Sequence, residues 1–193
     1  MGSKMAANRK TALIALGGNL PADADAPQIT LSKAIRALQS EDIALRCVSR
    51  FFQTPCFPAG AGPDYVNAAV SVETGLSAGD LLARLHQVEA QFARVREQRW
   101  GMRTLDLDLV DYGGAVLPDE AGYARWQGLP LDQQMQEAPG QLILPHPRIQ
   151  DRAFVLVPLA DIAPRWRHPV LQKSVTEMLA ELPPQDVAEV APL

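Results

Sequence analysis

The chain has 193 residues, of which 47% are apolar and 21% charged, a composition typical of one ordinary globular domain. Its formal net charge of −4 argues against a nucleic-acid-binding or membrane-surface protein, because the surface as a whole would repel phosphate groups. No apolar run reaches the ~20 residues of a membrane-spanning helix, and two cysteines, Cys47 and Cys56, are too few for a disulfide framework, so we expect a cytoplasmic protein.

Residues 1–10 are polar and charged, and they predict a disordered tail. Hydrophobic periodicity and turn residues then predict six elements, namely strands at residues 11–16, 43–52, 65–73 and 105–112 and helices at residues 28–38 and 77–92. Ser77 is a suitable N-cap for the second helix. This order of elements is typical of the split βαβ arrangement. We therefore expect an α+β protein with a ferredoxin-like antiparallel sheet and helices on one face.

The remainder of the chain has a weaker pattern. Residues 113–141 contain scattered glycine, proline and acidic residues, which predict a long insertion loop with a short helix near residues 131–137. Additional C-terminal helices are predicted at residues 151–161 and 175–182, and a C-terminal tail at residues 183–193. Residues 11–182 are accordingly expected to form a single domain.

The strongest chemical signal is the run Leu105-Asp106-Leu107-Asp108-Leu109. Successive side chains of a strand point to opposite faces, so the two aspartates share one face while the leucines bury the other. Carboxylates about 6–7 Å apart along a strand can jointly hold a hard cation such as Mg²⁺. The alternative is a half-buried strand with a solvated acidic face.

Arginines cluster immediately before this strand, in a chain that is acidic overall: Arg94, Arg96, Arg99 and Arg103. The planar guanidinium group binds phosphate oxygens in a bidentate manner, so arginines beside two metal-binding acids suit a polyphosphate with its Mg²⁺. Trp100-Gly101 between these arginines is typical of a loop that closes on a ligand. A solvated helix end balanced by salt bridges is the alternative.

Two histidines are further candidates. His146 lies between two prolines that restrict its backbone, so it could contact a phosphate, act as an acid or have a structural role in a turn. His86 lies one helical turn before Glu89 and could face the same site, although a surface pair would give the same spacing. Spacing alone leaves these possibilities open.

Several separated motifs, in one order along most of the chain, resemble those of the 6-hydroxymethyl-7,8-dihydropterin pyrophosphokinase family of folate biosynthesis. The central motif is residues 99–108, RWGMRTLDLD. The others are Gly17-Gly18-Asn19-Leu20, Phe52-Gln53-Thr54-Pro55, residues 63–69 (PDYVNAA), Glu89 with Arg94-Val95-Arg96, and Pro145-His146-Pro147-Arg148 with Arg152 and Phe154.

The resemblance implies a ferredoxin-like fold and an ATP-dependent diphosphotransferase that moves the terminal diphosphate of ATP to the pterin hydroxymethyl group and releases AMP. It implies that Asp106 and Asp108 hold two Mg²⁺ ions and that Arg94 and Arg103 steady the transferred group. Nothing in the sequence demands more than a monomer with these two small-molecule substrates as partners.

The resemblance also assigns the two substrate sides. For the pterin, Tyr65 and Phe154 would enclose the ring, Asn67 and the Thr54-Pro55 region would read its polar edge, and Trp100 would lie on the closing loop. For the nucleotide, the implied residues are His86, Glu89, Arg96, His146, Arg148 and Arg152.

The chain departs from the family pattern at several positions. Met102 stands where proline is usual, Gly18 replaces a more frequent serine, and His86 and Ile143 replace polar residues, while residues 96–100 are slightly short and the insertion is long. A catalytically inactive pterin- or nucleotide-binding relative is the first alternative, but all four expected catalytic residues are present. A ferredoxin-like RNA-binding module is disfavoured because the aromatic RNA-binding pattern is missing and the net charge is negative.

Overall fold

The computed structural model describes residues 9–22, 25–56, 62–92, 103–130, 133 and 137–193. Its strands are β1 (Lys10–Gly18), β2 (Ile43–Val48), β3 (Phe52–Thr54), β4 (Tyr65–Thr74), β5 (Asp106–Tyr112) and β6 (Ala191–Pro192). Its helices are α1 (Pro27–Leu38), α2 (Ala78–Gln91), α3 (Glu120–Gln127), α4 (Ala153–Ile162), α5 (Val175–Glu181) and α6 (Pro184–Ala188). No helix among these residues is long and apolar enough to cross a membrane.

The strands form an antiparallel sheet in the order β5-β1-β4, with β2 and β3 both paired along the far edge of β4. Each helix of the first half connects two strands that follow each other in the chain but are not neighbours in the sheet: α1 leads from β1 to β2, and α2 leads from β4 to β5. This is the topology of the split βαβ arrangement. The predicted ferredoxin-like fold is confirmed.

The predicted strand at residues 43–52 is divided in two. Ser49 interrupts it, because the Ser49 hydroxyl accepts a 2.9 Å hydrogen bond from the amide nitrogen of Ala69. In a regular ladder the Ala69 N–H would donate to a backbone carbonyl oxygen, but here it donates to the side-chain oxygen of Ser49. The chain bends here and resumes pairing with β4 as the short β3.

One face of the sheet is covered by α1 and α2. Alternate residues of the central strands point to this face, and the helices contribute apolar residues at helical spacing, including Leu31 and Ile35 of α1 and Leu81 and Leu85 of α2. Ser77 caps α2 as predicted, since its side chain accepts a hydrogen bond from the amide nitrogen of Asp80. The opposite face is covered by α4 and α5 through a second core that includes Leu156, Leu159 and Met178.

The chain termini differ from the expected tails. Residues 1–8 lie outside the described residues, but Lys10 already belongs to β1. Residues 183–193 are not a tail, because α6 is followed by β6, which pairs with β3 at Phe52 and Gln53. Val190 is buried against Phe52 and Ala153, so burial of one apolar side chain and pairing of a sheet edge hold this segment in place.

The expected loop at residues 113–141 contains structure of its own. Helix α3 lies within it, and Asp119 caps α3 by accepting a hydrogen bond from the amide nitrogen of Gly122. Most of residues 131–137, where the sequence predicts a helix, lie outside the described residues. The insertion therefore contains a helix that sequence periodicity did not indicate.

Candidate active site

The two aspartates of β5 lie on the sheet face away from α1 and α2. Leu107 and Leu109 point into the core beneath α1 and α2, whereas Asp106 and Asp108 alternate with them and are only partly buried. Asp106 is paired with Gly17 and Asp108 with Ala15, so the site lies where β5 adjoins the end of β1. The alternation predicted for this strand is confirmed.

Two arginines lie beside the aspartates. The guanidinium group of Arg103 forms an ion pair with Asp106. Burial lowers the pKa of Arg152, while Asp108 and Asp106 act to raise it, so Arg152 is within electrostatic range of both carboxylates. The site therefore combines two carboxylates, which suit a metal cation, with two guanidinium groups, which suit an anionic ligand.

The backbone that carries Arg103 is held by the loop after β1. The amide nitrogens of Asn19 and Leu20 both donate to the carbonyl oxygen of Arg103, at 2.8 and 3.0 Å. The Asn19 side chain accepts from the amide nitrogen of Arg103 at 2.8 Å and donates to the carbonyl of Pro63 at 3.0 Å. Asn19 is therefore a positioning residue, a role that its sequence motif, Gly17-Gly18-Asn19-Leu20, did not indicate.

Gly18 is required by the same contact. A Cβ atom at this position would lie 2.5 Å from the carbonyl oxygen of Thr104, which is closer than non-bonded atoms can approach. Because Gly18 has no side chain, the end of β1 and the loop that follows it (the β1 loop) can lie directly against residues 103–104. Glycine where the family more often has serine fits this tight contact.

Glu89 supports β5 from the side of α2. It is only 2% exposed, and its Oε1 accepts a 2.8 Å hydrogen bond from the amide nitrogen of Leu107, between the two aspartates. This bond gives Glu89 a structural role that the spacing did not reveal. His86, one turn earlier, is exposed on α2. The nucleotide contacts expected of both residues stay predictions.

The segment containing His146 and Arg148 runs along β5. The amide nitrogen of His146 donates to the carbonyl of Val110 at 2.9 Å, and the His146 Nδ1 accepts from the amide nitrogen of Arg148 at 3.2 Å. Burial, and then repulsion by Arg152, lowers the pKa of His146 to about 3. The ring is therefore neutral at physiological pH, with Nδ1 acting as an acceptor.

Three of the residues expected to bind the pterin, Thr54, Tyr65 and Asn67, lie on β3 and β4. Asn67 and Thr54 are buried and joined by a 2.9 Å hydrogen bond from Asn67 Nδ2 to Thr54 Oγ1, while Pro55 is exposed. Burial, followed by the nearby Cys56, raises the pKa of Tyr65, and Arg103 and Asp106 also act on its hydroxyl. The structure thus brings Tyr65 near Asp106 of β5 and near Arg103, which precedes that strand.

Phe154 lies at the start of α4 and is 41% exposed, which is unusual for a large apolar side chain. The guanidinium carbon of Arg152 is 5.7 Å from the centre of its ring. Because Arg152 is also near Asp106 and Asp108, Phe154 lies at the edge of the same site. An exposed aromatic ring here is suited to cover a flat ligand.

Some predicted site residues lie outside the described part of the chain: Arg94, Arg96 and Trp100, together with the atypical Met102. Ile143, another atypical position, is buried. Within the residues that the structure describes, no group of three or more histidine, cysteine, aspartate or glutamate side chains could hold a metal ion. A cation at Asp106 and Asp108 would therefore draw other ligands from substrate oxygens and water, which is the usual pattern for Mg²⁺.

Comparison with known proteins agrees with this site. Residues 13–164 match the family of 7,8-dihydro-6-hydroxymethylpterin-pyrophosphokinase. A 2-amino-4-hydroxy-6-hydroxymethyldihydropteridine pyrophosphokinase from Synechocystis is 34% identical over 183 residues, which cover 94% of this chain and 80% of the relative. The protein of the same name from Pseudomonas aeruginosa is 34% identical over 170 residues, covering 88% of this chain and 90% of the relative.

The fold is also found among solved structures. A Plasmodium falciparum HPPK-DHPS crystal structure superposes with a TM-score of 0.63 at 12% identity, covering 90% of this chain but only 43% of the larger one. At this identity the likeness concerns the fold alone. The family match spans most of the chain and includes both aspartates, so the chain belongs to the 7,8-dihydro-6-hydroxymethylpterin-pyrophosphokinase family.

Proposed function

We propose that Asp106 and Asp108 hold two Mg²⁺ ions with which this pyrophosphokinase of folate biosynthesis transfers the diphosphate of ATP to 6-hydroxymethyl-7,8-dihydropterin. The observation that carries the proposal is the position of both carboxylates on one face of β5, with Arg103 paired to Asp106 and Arg152 within electrostatic range of both. Carboxylates suit a hard cation, and the flanking arginines suit the phosphates that accompany it.

The reaction is a substitution at the β-phosphorus of ATP. The pterin hydroxymethyl oxygen forms a bond to this phosphorus, the bond from the phosphorus to the oxygen bridging toward the α-phosphate breaks, and AMP leaves while the hydroxyl proton is lost to solvent or buffer. Bound Mg²⁺ neutralises phosphate charge and aligns the attacking and leaving oxygens. The chain's own contribution is positioning and electrostatic stabilisation, which dominate this kind of transfer.

Arg103 and Arg94 are proposed to contact the transferred diphosphate. Arg103 has the better structural support, because its backbone is fixed by Asn19 and its side chain already lies at Asp106. A guanidinium group placed in advance at the phosphates costs little reorganisation when charge develops. Arg94 is proposed on its motif.

The pterin is proposed to bind between Tyr65 and Phe154. Asn67, held by Thr54, would present its remaining polar atoms to the edge of the ring, with Pro55 alongside. Trp100 is proposed on its motif. Aromatic faces supply contact area, and buried amide groups supply discrimination. The exposed ring of Phe154 supports this arrangement, because a bound pterin would cover it.

The nucleotide is proposed to lie on the side of His146, Arg148 and Arg152, with His86, Glu89 and Arg96 contributing. Two arginines beside a neutral histidine suit an anionic ligand, because the neutral ring offers Nε2–H as a donor without competing for the carboxylates. Arg152 would join the two substrate sides, since it is close to both aspartates and to Phe154.

The deciding experiment measures AMP formed from ATP and Mg²⁺ with and without 6-hydroxymethyl-7,8-dihydropterin. Pterin-dependent AMP together with a diphosphorylated pterin supports the proposal. Binding of both substrates without AMP would identify an inactive relative, and binding of neither would contradict the substrate assignment. We also propose a cytoplasmic monomer without nucleic-acid partners, which size-exclusion chromatography with light scattering and localisation of a tagged chain would test.

A further inference from the structure

The insertion after β5 leaves the sheet and returns to the same place. Leu117 and Leu144 form an antiparallel bridge, with their amide nitrogens donating to each other's carbonyl oxygens at 2.9 and 3.1 Å. Residues 118–143 are therefore an excursion with adjacent ends. Immediately after it come His146 and Arg148, two of the residues proposed to face the nucleotide.

Helix α3 of this insertion is anchored through a buried tyrosine. Tyr123 is fully buried, and its hydroxyl oxygen lies 3.0 Å from Nε2 of His168, which is also fully buried. His168 Nδ1 accepts hydrogen bonds from the amide nitrogens of Val170 and Leu171, at 3.2 and 3.1 Å. Nδ1 therefore carries no proton, and the Nε2–H of the neutral ring donates to the Tyr123 hydroxyl.

The contacts of Tyr123 and His168 continue through Trp166 to the end of β5. The Trp166 and His168 ring centres are 5.8 Å apart in an edge-on arrangement. The indole N–H of Trp166 also donates a hydrogen bond to the side chain of Asp111, a buried residue of β5. Tyr123, His168, Trp166 and Asp111, which we call the buried anchor, thus join the insertion to the strand that carries the two site aspartates.

The insertion also contacts Arg148 directly. Two residues after the end of α3, the carbonyl oxygen of Leu129 accepts a 3.1 Å hydrogen bond from Arg148 Nη2. Arg148 Nη1 lies 3.2 Å from Asp151 Oδ2, in the turn before α4. A planar guanidinium held at both terminal nitrogens has a fixed direction.

The direction of Arg148 matters because it belongs to the cationic group beside the aspartates. Arg148 acts electrostatically on His146 and on Arg152, and Arg152 in turn lies near Asp106 and Asp108. A change in the orientation of the Arg148 guanidinium group would therefore alter the electrostatic potential at an anionic nucleotide. The insertion can set this orientation, because the Leu129 carbonyl is bonded to the guanidinium group.

We infer that the insertion is a positioning element for the nucleotide: the buried anchor holds α3, and the Leu129 carbonyl that follows α3 sets the direction of Arg148. This inference rests on the proposed place of Arg148 on the nucleotide side. Tyr123 and His168 act through Arg148 and do not touch substrate. A purely stabilising anchor would change the melting temperature without a selective effect on ATP.

The test is a double-mutant cycle with Tyr123→Phe, Arg148→Ala and the double variant, assayed for the KM of each substrate. If the insertion acts through Arg148, Tyr123→Phe raises the KM for ATP about 3–10-fold in the parent and less than about 2-fold in the Arg148→Ala background. The KM for the pterin stays unchanged. An equal increase in both backgrounds, or none in the parent, overturns the inference.

Tyr112→Phe is the matched control, because it removes another tyrosine hydroxyl bond, the 2.6 Å contact with the carbonyl of Leu76. It should lower the melting temperature to a similar extent and leave the KM for ATP unchanged. A selective rise in the KM for ATP with Tyr112→Phe would contradict the inference.

A second variant covers the case in which Tyr123→Phe does not fold. Residues 118–143 are replaced by Asn-Gly, a two-residue hairpin turn that suits the paired ends at Leu117 and Leu144. This excision should raise the KM for ATP in the parent but not in the Arg148→Ala background. The same rise in both backgrounds would overturn the inference.

The outcomes separate this inference from the proposed function. If Arg148→Ala leaves the KM for ATP unchanged while Asp106→Ala abolishes turnover, the inference fails and the metal assignment stands. If Asp106→Ala retains turnover, the metal assignment fails, whereas the cycle between Tyr123 and Arg148 still decides the inference.

Discussion

The carboxylate of Glu89 accepts a 2.8 Å hydrogen bond from the amide nitrogen of Leu107, the residue between the two aspartates of β5. Glu89 belongs to α2 and is almost completely buried, so the bond joins the helix layer to the strand that presents Asp106 and Asp108. The spacing of the aspartates is thus supported from the opposite face of the sheet.

For Glu89 itself, we expect Glu89→Ala to lower the free energy of unfolding by about 1–3 kcal/mol, because it leaves the Leu107 N–H without this acceptor. It should also lower kcat, since β5 loses its support. Glu89→Gln keeps a carbonyl oxygen as acceptor and should retain more of both. Urea unfolding and steady-state kinetics measure the difference, and equal losses for the two variants would contradict a role through this bond.

The metal assignment predicts that Asp106→Ala or Asp108→Ala reduces kcat by a factor of about 100 or more, the scale on which loss of one preorganised electrostatic group slows an enzyme. The fold should persist, because both side chains are partly exposed. AMP release at increasing Mg²⁺ concentrations is the measurement. Asp42→Asn is the control that should keep parent activity, because Asp42 immediately precedes β2, whose first residue pairs with Thr74 at the end of β4 farthest from the site.

Contact between the β1 loop and residues 103–104 predicts that Gly18→Ala is harmful. The added methyl group would lie 2.5 Å from the Thr104 carbonyl oxygen, so the backbone must shift, at a cost of about 1–3 kcal/mol in stability. Displacement of Arg103 should also lower kcat. Gly79→Ala in α2 is the control, since its nearest neighbour would be 3.9 Å away. Thermal melting that ranks Gly79→Ala below Gly18→Ala would refute the steric explanation.

His168 predicts a pH dependence of stability. Burial lowers the pKa of His168 to about 4 from an unfolded value near 6.5. Between these values the unfolded chain binds the proton more readily, so about 3 kcal/mol of stability is present above pH 6.5 and is lost as pH falls toward 4.

Replacement by an uncharged residue should remove this contribution to the pH dependence. We therefore expect the stability difference between the parent and His168→Gln to shrink as the pH is lowered from 7 to 4. Urea unfolding at several pH values measures it. A difference that stays constant across this range would show that folding does not lower the pKa of His168.

The proposed pterin pocket predicts that Phe154→Ala raises the KM for the pterin about tenfold, equivalent to roughly 1.4 kcal/mol of lost ring contact, and leaves the KM for ATP nearly unchanged. Stability should change little, because Phe154 is 41% exposed. Ile29→Ala on α1, with its side chain 44% exposed, is the matched control. Equal effects of the two variants on the KM for the pterin would place the ring outside the pocket.

Local pattern was sufficient for much of the fold. The alternation of Leu107, Asp108 and Leu109 predicted both the strand and its two faces, and Ser77 predicted the start of α2, because side-chain direction and capping are set within a few residues. The division of the strand at Ser49 was not predicted. It depends on the amide nitrogen of Ala69, a neighbour only in the folded sheet.

The order of the elements, the position of two carboxylates on one face of β5 and the family could all be predicted from the amino-acid sequence. These follow from periodicity and from motifs whose residues are close together in the chain. Three contacts became apparent only in the folded chain: Asn19 holds Arg103, Glu89 supports Leu107, and Tyr123 contacts His168. Those contacts join residues far apart in sequence, and they form because a buried donor or acceptor must find a partner wherever packing brings one within reach.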